Sequence, residues 1–122
     1  NSNLKNNYAE VKLWNYETER FNNTGLQFCG LIMGDHSKSA INTMFNTGTV
    51  IGVSSNVFGN GFPRNFIPSF SWGGASGFSI YKLSKSIDVA EKVFARRARK
   101  FDKLEKDIFT HIYNMTKRYR NE

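Results

Sequence analysis

A six-residue beat runs through the middle of the chain. Met33, Ser39, Phe45, Ile51 and Val57 fall at equal intervals, and all but Ser39 are apolar. The residue after each leader is mostly small or turn-tolerant (Gly34, Ala40, Asn46, Gly52), until Phe58 breaks the series. Later in each hexad comes a small hydroxyl residue: Ser37, Thr43, Thr49 and Ser55. A period of six fits neither a 3.6-residue helix nor simple strand alternation. It predicts a coil in which each hexad supplies one short strand and one corner, with three hexads making one parallel rung. Short-period repeats of this kind mark parallel β-helices. The leader and the small residue should both face the interior, and Gly or Asn near the corners accepts positive φ. Where Ser39 interrupts the leaders, Ile41 or a water is expected to fill the wall.

The rest of the chain divides around this repeat. Residues 1–82 read as the end of the β-coil, with an excursion at 6–30, coils at 31–60 and an aromatic covering loop at 61–82. Within the excursion, alternating apolar residues predict two strands near 9–14 and 18–21, joined by a turn at Asn15-Tyr16-Glu17. In the covering loop, Phe62, Phe66, Phe70 and Trp72 should drape across the coil, since a linker would lack large apolar residues. Residues 83–122 form a two-helix tail. Ser84 or Ser86 is expected to cap the first helix, with Ile87, Ala90, Val93 and Phe94 as its apolar face. Asp102 and Glu105 make a capping box for the second. Leu104, Ile108, Ile112 and Met115 form its expected buried stripe.

Composition narrows the function classes. With 122 residues there is room for one domain. Hydrophobic content is 39% with 11 Phe, which predicts an aromatic core partly completed by another chain. The net charge is +7, from 17 Lys and Arg against 10 Asp and Glu, and this favours anionic partners such as phosphates, nucleotides or coenzymes. Lys92, Arg96, Arg97, Arg99, Lys100 and Lys103 concentrate much of the charge in a run that reads as a solvated helix junction. Nucleic acid is not an expected partner, because the aromatics sit away from that run. The single cysteine, Cys29, permits no internal disulfide, and a reducing cytoplasm is the expected setting. No stretch is long and apolar enough to span a bilayer, and no signal peptide is visible. The chain begins on Asn-Ser-Asn without Met and reads as a piece of a longer protein.

Chemistry concentrates between Gly34 and Thr43, where an acid, an imidazole, an ammonium and an amide lie close together on the repeat. Acyl transfer to an amine needs a base for the ammonium and donors for the thioester oxyanion. His36 has the chemistry of that base and Asp35 could bias it. Lys38 could hold a phosphate, and Asn42 could bond an amide or hydroxyl. The chain has no Gly-x-x-x-x-Gly-Lys phosphate loop, no Gly-x-Gly-x-x-Gly turn and no Gly-x-Ser-x-Gly elbow. A zinc site is not expected from His36 and His111 alone.

On this string, Gly34-Asp35-His36-Ser37-Lys38-Ser39-Ala40-Ile41-Asn42, the chain resembles sugar-phosphate nucleotidyltransferase-like proteins with a C-terminal left-handed β-helix. These include the bifunctional glucosamine-1-phosphate acetyltransferase/uridylyltransferases and a glucose-1-phosphate thymidylyltransferase-like branch. Their string has Thr-Gly where this chain has Ser39-Ala40. Ser2-Asn3-Leu4-Lys5 is similar to the end of a second family motif, and Asn56–Gly59 and Pro68–Gly74 are similar to the thymidylyltransferase-like branch. The likeness covers most of residues 2–77. It implies a mainly β fold, a left-handed parallel β-helix followed by the helical segment, downstream of a nucleotidyltransferase domain that lies outside this sequence and holds the Mg2+. The implied chemistry is transfer of acetyl from acetyl-CoA to an amino-sugar 1-phosphate in a homotrimer. His36 is the catalytic candidate, and Asn3, Lys5, Lys38 and Asn42 are the binding candidates. The relatives' own catalytic histidine lies upstream of the Asn3 motif, so the isolated chain is expected to be inactive. The alternative implied role is a non-catalytic trimerisation scaffold.

Overall fold

The computed structural model describes residues 1–5 and 7–120. Strands β1 (Lys12–Asn15) and β2 (Arg20–Asn23) form an antiparallel hairpin with Lys12 opposite Asn23 and Asn15 opposite Arg20. Its turn is held by Asn15, whose Oδ1 accepts from the Glu17 and Thr18 amides, while Glu19 takes the left-handed conformation. Both strands lie slightly C-terminal to the expected segments.

Next come β3 (Leu31–Met33), β4 (Lys38–Ser39), β5 (Thr49–Ile51), β6 (Asn56–Val57), β7 (Phe66–Ile67), β8 (Ser71–Gly74) and β9 (Gly77–Ile80). They form two small sheets: a parallel one in the order β3-β5-β7 and a mixed one in the order β4-β6-β8-β9, in which β9 runs antiparallel to β8. This corrects the expected left-handed parallel β-helix, since no sheet among the described residues closes on itself or extends as a solenoid. Register shows where the beat gives out. Leu31 lies opposite Thr49 and Lys38 opposite Asn56, three hexads apart. Val50 then lies opposite Phe66 and Asn56 opposite Trp72, a shorter step of sixteen residues (50 to 66, 56 to 72). After β8 the chain turns back on itself as a hairpin instead of advancing. The segment read as a covering loop therefore contains three strands.

The small hydroxyl positions have a direct role in these sheets. Ser37 Oγ donates to the Gly52 carbonyl at 2.6 Å and accepts from the Ser55 amide at 2.9 Å. Ser55 Oγ repeats the pattern one strand on, donating to the Pro68 carbonyl at 2.7 Å and accepting from the Ser71 amide at 3.2 Å. Each hydroxyl thus satisfies backbone groups that the short strands leave unpaired. The apolar leaders are buried only from Phe45 onward: Phe45, Ile51 and Val57 pack with Ile67, flanked by Leu31 and Phe78. Met33 and Ser39 are exposed. Ile41 does not fill the wall, since it is 93% exposed.

Helices α1 (Leu83–Ala95) and α2 (Lys103–Met115) follow, then a short 3₁₀ turn at Lys117–Tyr119. The α1 N-cap is Lys82, which makes no side-chain cap, instead of the expected Ser84 or Ser86. Ser86 is buried, and its hydroxyl bonds Ser54 Oγ. Asp102 caps α2 by accepting from the Glu105 amide at 3.1 Å. The expected α2 stripe is corrected: Leu104 is 67% exposed, and Ile108 and Met115 also face outward. The helix buries Phe109 instead, with Ile112 and Tyr113 beside it. Both faces of α2 carry apolar residues, and the larger aromatic face packs inward. Phe70, Tyr81, Ala90, Phe101 and Phe109 make this second core.

Candidate functional site

His36 lies in the corner between β3 and β4, in the left-handed region at φ 62°. Ser54 (φ 55°) and Phe70 (φ 57°) occupy the same conformation at the next two corners. Non-glycine residues enter this region at a cost of about 1 kcal/mol or more, so three in a row call for compensation. It comes from the helices. The His36 ring stacks on Phe94 at 5.8 Å and meets Phe101 and Phe109 edge-on at 6.1 and 4.9 Å. Ser54 bonds Ser86, and Phe70 meets Phe109 and Tyr113 edge-on at 5.8 and 5.1 Å. The three corners form one column, and the helix pair is fastened along it.

Burial lowers the His36 pKa below the ordinary imidazole value and nearby Lys38 lowers it further, while Asp35 and Glu105 oppose them. The folded state therefore favours the neutral ring more than the unfolded chain does. The stabilisation this gives is complete above the unfolded pKa of about 6.5 and is lost as pH falls through the lowered native value. Acidification should thus lower Tm in the native chain, and His36→Gln should flatten that dependence. An identical pH slope in both proteins would remove His36 as its source.

The other candidate residues divide between two places. Lys38 is exposed, and its ammonium donates back to the His36 carbonyl at 3.2 Å. Asn42 is exposed at another left-handed corner (φ 61°). Asn3 and Lys5 come together elsewhere, in a concavity of about 490 Å³ shared with Asn46, Thr47 and Asn65. There Asn3 donates to Asn46 Oδ1 at 3.1 Å and accepts from the Thr47 amide at 2.9 Å. The Lys5 ammonium donates to the Glu10 carbonyl at 3.1 Å. Neither His36, Lys38 nor Asn42 lines this concavity. The five residues therefore do not surround one reaction centre.

Sequence reasoning missed Phe94, Phe101 and Phe109 as the surroundings of His36. Spacing around His36 contains no signal for them, because the three rings lie far along the chain. Among the described residues, no cluster of three or more His, Cys, Asp or Glu side chains could hold a metal ion. No described helix is long and apolar enough to cross a membrane. No family model, curated protein or solved structure matches the chain.

Proposed function

We propose that this chain is a non-catalytic assembly module, a scaffold that brings together copies of a sugar-phosphate nucleotidyltransferase-like protein. The surroundings of His36 carry the reading. A general base must reach the proton it removes through a hydrogen bond, directly or across one water. The His36 imidazole is instead packed against Phe94, Phe101 and Phe109. Its contribution is to fasten the helical tail. Exposed Ile32, Met33, Ile41 and Met44 lie on or near the free edge strands β3 and β4 and supply apolar surface for association. Sedimentation equilibrium should give a particle of three times the 14.0 kDa chain, and Ile41→Glu should shift it toward monomer. A chain that stays monomeric at every concentration contradicts the scaffold.

One observation favours acetyl transfer as a second reading. The amide-rich concavity at Asn3 and Lys5 offers donors and acceptors for sugar hydroxyls and an ammonium for phosphate. An acetyl-CoA assay with a panel of amino-sugar 1-phosphates separates the two readings. The scaffold predicts no turnover. Turnover that disappears in a folded Lys5→Ala variant would replace it with catalysis in that concavity.

A further inference from the structure

A concavity of about 580 Å³ opens where the β8–β9 hairpin meets the start of α1, bounded by Trp72, Tyr81, Lys82, Lys85 and Asp88. Its volume lies within the range of small-molecule sites. Trp72 presents its indole to solvent at 42% exposure. The ring is steadied by Phe58 at 5.6 Å between centroids, edge-on, and by Tyr81 at 5.1 Å, tilted. The Ser79 hydroxyl donates to the Trp72 carbonyl and ties the two strands of the hairpin beneath it. A rigid, exposed indole is a ready surface for a flat ring.

The charges beside it are unusual for their place. Lys82 is the N-cap of α1 and Lys85 lies in its first turn, which contains no acidic residue and no side-chain cap. The positive end of a helix disfavours lysines and favours anions. Asp88, the one carboxylate in the wall, is already paired with Lys92 at 3.1 Å. No ion pair engages Lys82 or Lys85 among the described residues. The fold gains nothing from two lysines at this helix end, whereas a bound anion would make them favourable.

We infer that this concavity binds a nucleotide, with its base stacked on Trp72 and its phosphates between Lys82 and Lys85. Asp88 lies where it can accept from ribose hydroxyls. A cationic aromatic ligand would meet two ammonium groups, and a neutral apolar one would leave them unused. An aromatic ring joined to a phosphate chain satisfies both halves of the site. The inference stands on this cavity and does not rest on the assembly reading.

Calorimetric titration of the full chain with ADP tests it, with inorganic phosphate and glucose 1-phosphate as parallel probes. ADP should bind with a Kd below about 1 mM and more tightly than either probe. Trp72→Ala should weaken ADP about 5- to 100-fold, the effect of losing one stacked base, while Trp72→Phe retains most of the affinity. Lys82→Ala with Lys85→Ala should weaken it at least about tenfold. All of these side chains are exposed, and circular dichroism confirms that each variant is folded. No binding of ADP at about 5 mM, binding indifferent to both sets of substitutions, or equal affinity for inorganic phosphate or glucose 1-phosphate would overturn the inference.

Discussion

Replacing Phe109 with alanine is expected to lower the free energy of unfolding by about 3–5 kcal/mol. The ring is 4% exposed and sits where three parts of the chain meet. It packs edge-on against Phe101 at 5.1 Å, Phe70 at 5.8 Å and His36 at 4.9 Å. Removing it leaves a cavity that neighbours can close only by leaving left-handed corners or moving a capped helix. Small domains hold about 5–15 kcal/mol in total, so the variant should be near the edge of folding at room temperature. Urea denaturation followed by near-ultraviolet circular dichroism measures the loss. A loss under about 1 kcal/mol would mean that the helix pair is not fastened along the corner column. A cycle with His36→Ala adds a sharper check, because residues in contact should couple by about 0.5–3 kcal/mol. Full additivity would separate His36 from the anchor.

Gly52→Ala should cost about 3 kcal/mol, at the upper end for overpacking. A β-carbon at Gly52 would stand 2.5 Å from the Ser69 amide nitrogen and 2.8 Å from its Cα. One at Gly34 would stand 2.6 Å from the Gly52 carbonyl oxygen. Gly34, Gly52 and Ser69 therefore stack backbone on backbone, and moving the Ser69 hydroxyl aside would not relieve the clash with its amide and Cα. Gly25 provides the contrast. A β-carbon there meets nothing within 4 Å, and only its φ of +73° is at stake. Gly25→Ala should cost about 1 kcal/mol, the ordinary penalty for a side chain in that conformation. Comparable losses in the two variants, read from their urea midpoints, would contradict a steric role for Gly52.

Several local features were legible before any coordinates. The Asn15 turn, the Asp102 cap and the row of small residues at Ser37, Thr43, Thr49 and Ser55 each follow from chemistry within a few residues. The candidate site was less legible. Gly34–Asn42 drew attention to His36, but composition could not say what faces it. Its ring contacts come from Phe94, Phe101 and Phe109, far along the chain, and local spacing contains no information about them. The α2 stripe failed for a related reason. Leu104, Ile108 and Met115 line one apolar side of α2, while Phe109, Ile112 and Tyr113 line the side that packs inward. Periodicity identifies a helix with an apolar face, but choosing between two such faces requires the surface it meets.

The sequence by itself determined the turn at Asn15, the small hydroxyl positions of the repeat and the residue that caps α2, because turns and caps act over a few bonds. Tertiary structure alone decided that the beat stops at β7 and β8, that the chain then folds back as a hairpin, and that α2 turns its aromatic side inward. Those outcomes depend on which distant surfaces exclude water together, and burial is a property of the whole packed chain. A histidine that reads locally as a base consequently packs its ring among phenylalanines that lie far along the chain.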